Sequence, residues 1–250
     1  MLDFGFYNMD CMDGMREFPD KYFDLAIVDP PYGGGGVTSQ ILHDSENGSH
    51  VITTNARFGR KGSVFEKYKQ VVAVPNESPI KHEAGWNKYS DVTWDVAPSD
   101  EYFDELFRIS KNQIIWGGNY FELPPTRCFL IWRKTNVPEK FSMAMCEYAW
   151  TSFSGNAKWF EYSAVGQQGR FHPTQKPVAL YKWILTNYAK DGDKILDTHV
   201  GSASSLIACE DMGFKYVGFE LDETYYNLAS ERLKTHKSQV SIMDIMGDWR

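Results

Sequence analysis

Four consecutive residues, Asp29-Pro30-Pro31-Tyr32, set a carboxylate, two prolines and an aromatic ring directly after the apolar run Phe23 to Val28. Open α/β sheets bind ligands at the carboxy ends of their strands, which is where this tetrapeptide falls. The residue types suit one chemistry in particular. An exocyclic amine on a purine or pyrimidine is a poor nucleophile, because its lone pair is delocalised into the ring. Acceptors aimed at both amino protons localise that pair and hold the nitrogen in line with an electrophilic methyl group. Asp29 offers a carboxylate for this, and the Pro30 carbonyl offers a second acceptor. The prolines bring fixed φ and no competing N–H donor, while the Tyr32 ring can stack on a base. Nothing in this chemistry demands a metal. The same residues also fit a strand that simply ends in an Asp-Pro turn.

A second group follows the short apolar run Lys194 to Leu196: Asp197-Thr198-His199-Val200-Gly201-Ser202. A glycine at a strand-to-helix turn lets a cofactor approach the backbone closely. Glu220 comes nineteen residues after Gly201, again at a strand end, the spacing of an acid that grips ribose hydroxyls in dinucleotide-type folds. Together they point to an adenosine-containing cofactor. Gly218 reads equally as a packing glycine and Asp222 as a helix cap. A third group, His172-Pro173-Thr174-Gln175-Lys176-Pro177, leads into a helix. That helix start can receive a carboxylate, with Thr174 and Lys176 adding polar contacts, or it is only a proline-flanked helix entry.

Positioning these groups requires strands that alternate with helices. Apolar runs at 23–29, 112–118, 128–134, 193–201 and 216–222 end in turn or acidic residues and read as buried strands. Ser99 is placed to cap a helix whose stripe is Tyr102, Phe103, Leu106 and Phe107. Pro177 can start another, running through Leu180, Trp183 and Ile184, and residues 203–212 and 224–234 are helical in pattern. The expected fold is α/β, a mainly parallel, doubly wound sheet in one domain over 1–250. The stretch from about 35 to 92, rich in Gly, Ser, Asn and charge, interrupts the pattern, and insertions of this length are commonly functional or mobile.

Bulk properties narrow the class. The 250 residues are 42% hydrophobic and 24% charged, with no apolar run long enough to cross a bilayer and no secretory signal pattern, so a cytoplasmic location is expected. Cys11, Cys128, Cys146 and Cys209 are widely spaced, which predicts mostly buried thiols and no metal site or disulfide framework. A net charge of −7 weighs against nucleic acid. Residues 127–182, however, carry eight basic against three acidic side chains. They could form a basic face, or the charges could be evenly solvated.

Taken together and in order, DPPY at 29, HPTQKP at 172, DTHVGSAS at 197 and GFELDETYYNLASERL at 218–233 resemble the permuted beta group of DNA amino-methyltransferases, in which the catalytic tetrapeptide precedes the cofactor motif. The amino-terminal NMDCMDGM is similar to that family's cofactor-adenine segment, and IIWGGNYF at 114–121 and FLIWRK at 129–134 to the strands lining its target-base side. The resemblance leaves out roughly residues 35–92. It implies a Rossmann-like S-adenosylmethionine-dependent methyltransferase fold with circularly permuted motif order. It also implies catalysis by Asp29, Pro30, Pro31 and Tyr32. Cofactor contacts would come from Asp10, Cys11, Asp29, Thr174, Lys176, Pro177, Asp197, Thr198, Gly201, Ser202, Glu220 and Leu221.

The implied reaction is site-specific methylation of adenine N6 in DNA with S-adenosylmethionine as cofactor, within restriction-modification. The target base is flipped from the duplex, and residues 35–92 and 135–171 read the sequence; no membrane partner is implied, and the chain is a monomer or a homodimer. The aspartate form of the tetrapeptide goes mostly with adenine in that family. Alternatives are a cytosine-N4, RNA or protein-glutamine methyltransferase, a silent nucleic-acid-binding module, and a nicotinamide-dependent oxidoreductase, which leaves DPPY unexplained. The cofactor motif departs from the family's D-P-F-x-G-S-G-T at Thr198, His199, Ala203 and Ser204. Alanine at 203 is strained if φ there must be positive and harmless if the position need only be small. His199 reads as a packing or hydrogen-bonded residue.

Overall fold

Strands buried on both faces read as continuous apolar runs, and β2 (Phe23–Val28) is one: Leu25, Ala26, Ile27 and Val28 are all at most 1% exposed. It lies inside a sheet of eight strands. The computed structural model describes residues 1–32, 41–43, 50–52, 96–139, 144–164 and 170–247. Two compact units emerge. The first comprises 1–30, 99–119 and 123–250, and the second 31–98 and 120–122. Most of the expected insertion at 35–92 lies outside the described residues. Within the second unit, β3 (Ile41–His43) and β4 (His50–Ile52) form an antiparallel pair.

The first unit holds β1 (Gly5–Asn8), β2, β5 (Ser110–Trp116), β6 (Leu130–Lys134), β7 (Cys146–Thr151), β8 (Lys158–Tyr162), β9 (Lys194–Asp197) and β10 (Lys215–Glu220), in the order β1-β10-β9-β2-β5-β7-β6-β8. The run from β1 to β5 is parallel, β7 is antiparallel to both its neighbours, and β8 is parallel to β6. The expected α/β, mainly parallel sheet is therefore present. The first strand pairs with the last, as a circularly permuted motif order requires.

Among the described residues five helices cover the sheet: α1 (Cys11–Arg16), α2 (Asp100–Ile109), α3 (Val178–Tyr188), α4 (Ser204–Met212) and α5 (Glu223–Gly247). α1 packs on α2, while α3 packs on α4 and α4 on α5. The face under α3 to α5 joins Leu25, Ile27, Ile114 and Trp116 of the sheet to Leu180, Ile184, Leu206 and Ile207. Each such side chain, once buried, contributes about 1.5–3 kcal/mol. From β2 the chain passes through α2 to β5, and from β9 through α4 to β10 on the other side. The strand order thus reverses between β9 and β2. A crevice opens at such a switch point, beyond the strand ends.

The structure adds what apolar runs do not signal. β1 has four residues, and β7 and β8 mix polar with apolar positions because they lie toward the sheet margin, β8 at the very edge. The helix expected over 224–234 begins at Glu223 and continues to Gly247. Cys128 and Cys209 are buried and Cys11 partly so, but Cys146 is exposed, because it opens β7 near the sheet margin.

Gly14 of α1 faces β10, where a Cβ would lie 2.4 Å from the fully buried ring of Phe219. Gly14→Ala should therefore cost about 1–3 kcal/mol by overpacking. A thermal melt should show a midpoint lower by roughly 2–4 °C per kcal/mol, and an unchanged midpoint would contradict this packing.

Candidate active site

The reversal of strand order brings the ends of β9 and β2 together, and each carries an acid. Asp197 is the last residue of β9 and is 3% exposed. Asp29 follows β2 directly, two residues beyond Ile27, which places it on the α3 face of the sheet. The loop ahead of α3 delivers Lys176, whose side chain is 2% exposed. Its ammonium donates to Asp29 Oδ2 and lies 3.1 Å from Glu147 Oε2 on β7. It also sits 5.3 Å from the centroid of the Trp116 ring. Glu147 turns its other oxygen to Lys134 at 2.7 Å. Burial opposes the charge on Lys176, yet Asp29 and Glu147 outweigh it and raise its pKa. Burial likewise works against the Glu147 carboxylate, but Lys176 and Lys134 outweigh it and lower its pKa.

Among the described residues no cation pairs with Asp197, and its pKa is pushed up to about 7, chiefly by burial, with the charges of Asp29 and Glu220 adding to the effect. The Ser205 hydroxyl and the His199 N–H, at 3.0 Å, donate to it and offset part of that shift. The turn that follows is tightly built. Gly201 has φ +54°, and its N–H donates to Glu220 Oε2 at 2.8 Å. A Cβ there would lie 3.3 Å from the His172 ring. Ala203 has φ 60° and ψ 20° and is fully buried. Of the two possibilities for this alanine, the strained one is realised, at about 1–2 kcal/mol for a left-handed residue. Arg232 of α5 ties the turn down, donating to the Ser202 carbonyl at 2.6 Å and to Ser204 Oγ at 3.0 Å.

Glu220 ends β10 and accepts the Asp222 N–H at 3.0 Å on its other oxygen, and burial above all raises its pKa. Asp10 caps α1 by accepting the Met12 N–H at 2.7 Å. Asn8 donates to the carbonyls of Glu220 and Leu221 at 2.8 and 3.2 Å, which draws Asp10, Cys11 and Leu221 to the same end of the β1–β10 pair. Burial pushes the Cys11 thiol up to about 12, so it stays neutral. Thr198 Oγ1 lies 2.6 Å from the Tyr102 hydroxyl and 2.9 Å from His199 Nδ1. His199 is held by that bond and by the edge of the Tyr102 ring, and burial lowers its pKa to about 4. Asp222 accepts the N–H groups of Thr224 and Tyr225 and so acts as the expected cap. Thr174 pairs with His172 Nδ1 at 3.1 Å, and Pro177 is the N-cap of α3. Tyr32 belongs to the second unit, where it stacks on Tyr120 at 4.7 Å.

Asp10, Asp197, Gly201 and Glu220 thus cluster at the ends of three neighbouring strands and suit a cofactor bearing ribose hydroxyls. Asp29 lies across the strand reversal from them, at the end of β2. A DNA methylase family model matches residues 23–231. The chain belongs to the N6/N4 DNA methylase family. The methylase is 22% identical to the type II methyltransferase M2.MboI of Moraxella bovis over 92% of this chain and 87% of that one. It is also 22% identical to M.HinfI of Haemophilus influenzae, over 95% and 70% of the two chains. Its fold is similar to that of the cytosine-N4-specific PvuII DNA methyltransferase, with TM-score 0.51, 11% identity and coverage of 96% and 93%. A similar likeness is found to the M1.HpyAVI–SAM complex, at TM-score 0.50 and 17% identity over 91% and 98%.

Several site residues of the methylase were not legible as such. Glu147 lies on β7, which has no apolar run, and Tyr102 reads as one member of a helix stripe. Among the described residues, Trp116 Nε1 is the buried side-chain donor without a partner. Of the eight basic residues in the stretch 127–182, Arg133, Lys134, Lys176 and Lys182 enter ion pairs. Among the described residues no helix is long and apolar enough to cross a membrane, and no acid, histidine or cysteine cluster could hold a metal ion.

The raised pKa of Asp197 has a testable sign. Its preference for the neutral form stabilises the fold fully below the unfolded value of 3.8, and this is lost as pH rises through about 7. His172 and His199, both lowered to about 4 mainly by burial, act in the opposite direction, so the comparison must be with a variant. The stability of Asp197→Asn relative to the parent should increase between pH 4.5 and 7.5, by urea denaturation at each pH, on the order of a kcal/mol or more. A difference independent of pH would refute the assignment.

Proposed function

We propose that the methylase transfers the methyl group of S-adenosylmethionine to the exocyclic N6 of an adenine in DNA. The observation that carries this is the position of Asp29 at the end of β2, across the strand reversal from Asp197, Gly201 and Glu220. When bound, the cofactor supplies an electrophilic sulfonium methyl. Glu220 accepts from its ribose hydroxyls, Asp10 takes its adenine at the end of β1, and Gly201 admits its close approach along the backbone. Cys11, Thr198, Ser202 and Leu221 line the same strand ends.

On the acceptor side, Asp29 and the Pro30 carbonyl accept from the two amino protons and raise the nucleophilicity of the nitrogen as it attacks. The target base leaves the duplex to reach them, since in-line attack cannot be arranged inside the stack. Tyr32, two residues along the chain from Pro30, offers its ring to the base, and base–aromatic stacking contributes about 1–3 kcal/mol. Adenine is favoured over cytosine by the aspartate in the tetrapeptide. The type II names of M2.MboI and M.HinfI favour a place in restriction-modification. A cytosine-N4 target uses the same geometry, and the PvuII enzyme shares the fold.

The test is incubation with S-adenosylmethionine and unmethylated DNA, followed by mass spectrometry of the hydrolysed nucleosides, with Asp29→Ala alongside. N6-methyladenine is expected from the parent, with product from the variant reduced at least about 10³-fold, an electrostatic contribution of the usual size. N4-methylcytosine would overturn the choice of base, and an absence of methylated nucleoside would overturn the reaction.

A further inference from the structure

Lys176 sits in a motif whose resemblance assigns it to the cofactor, but its ammonium is engaged elsewhere. It is buried between two carboxylates, Asp29 Oδ2 and, at 3.1 Å, Glu147 Oε2, with its charge over the Trp116 ring. Three elements are needed to build this arrangement: the loop ahead of α3, the end of β2 and strand β7. A buried ammonium shared by two acids is costly unless both remain ionised and well placed. We infer that Lys176 is a positioning residue for Asp29, fixing its carboxylate toward the acceptor amine, and that Glu147 holds Lys176 in place and sets how much of its charge Asp29 receives. The inference rests on the reading of Asp29 as the residue that accepts from the amine.

The charged and titratable groups that act on one another here are Lys176 from the loop, Asp197 from β9, Glu147 from β7, Tyr102 from α2 and Tyr181 from α3. Lys176 carries the positive charge beside Asp29, while Lys134 pairs with the other oxygen of Glu147. Removing it leaves a partly buried carboxylate facing Asp197, and Asp29 then titrates at higher pH. Removing Glu147 has the opposite effect, because Lys176 is left to Asp29 alone. A residue that merely supports the fold would not move the titration in opposite directions from its two ends.

The experiment follows the Asp29 carboxyl by carbon-13 NMR in protein labelled at aspartate, with the resonance assigned through Asp29→Asn, in the parent, Lys176→Met and Glu147→Gln. S-adenosylmethionine affinity, thermal midpoint and the pH dependence of kcat are recorded beside it. Lys176→Met should shift the titration and the acid limb of kcat upward, lower kcat at pH 7 by about 10²-fold, and keep cofactor affinity within twofold. Glu147→Gln should shift both downward and remain active. An unmoved Asp29 titration, or a cofactor affinity that collapses in a folded Lys176→Met protein, would overturn the inference. If Lys176→Met does not fold, the sign of the Glu147→Gln shift decides. The titration does not depend on turnover. An inactive parent protein would therefore count against the proposed reaction, while the bearing of Lys176 on Asp29 is judged separately.

Discussion

A buried acid and a partly buried one at neighbouring strand ends repel one another, and the rest of the site is organised around accommodating them. The strand reversal between β9 and β2 forces Asp197 and Asp29 into proximity. The fold treats them differently. Asp29 receives an ammonium, itself steadied by Glu147 and an aromatic ring. Among the described residues Asp197 receives neutral donors alone, Ser205 and the His199 backbone, and its pKa rises to about 7, with burial the largest cause. One carboxylate thus has a cation beside it, and the other, its pKa raised, lies at the turn after β9.

The turn after β9 shows a second accommodation, in the backbone. Two left-handed residues, Gly201 and Ala203, lie within three positions of each other. Glycine takes that conformation freely, whereas alanine does not. The turn is held from outside: Glu220 accepts the Gly201 N–H, and Arg232 reaches from α5 to Ser202 and Ser204. Arg232 is partly buried, and burial lowers its pKa. Strain at one residue is sustained because several others over-determine its geometry.

What could be read from the sequence followed physical signal strength. The buried parallel strands announced themselves as apolar runs, and their ends located Asp29, Asp197 and Glu220. The helix starts at Ser99 and Pro177 were legible too, since capping and proline chemistry are local. The strands β7 and β8 were not, because CEYAWT and KWFEY mix polar with apolar residues and carry no continuous apolar run. Glu147 went unnoticed with them, along with its hold on Lys176. A lysine in a helix-entry motif says nothing about which carboxylate it will meet across 147 residues of chain. The conformation of Ala203 was likewise open until φ was known. The basic stretch at 127–182 illustrates the converse: part of a charge surplus in sequence is taken up by ion pairs in space, among them the buried Lys176.

The central claim is a division of labour across the strand reversal, with cofactor on the β9–β10 side and the acceptor amine at Asp29. Equilibrium binding of S-adenosylmethionine to the parent protein, Asp29→Ala and Glu220→Ala, by calorimetry, tests it directly. The account predicts near-parental affinity for Asp29→Ala and a loss of about tenfold or more for Glu220→Ala, the scale of a hydrogen bond to a charged group. Equal losses in both variants, or a loss confined to Asp29→Ala, would contradict it.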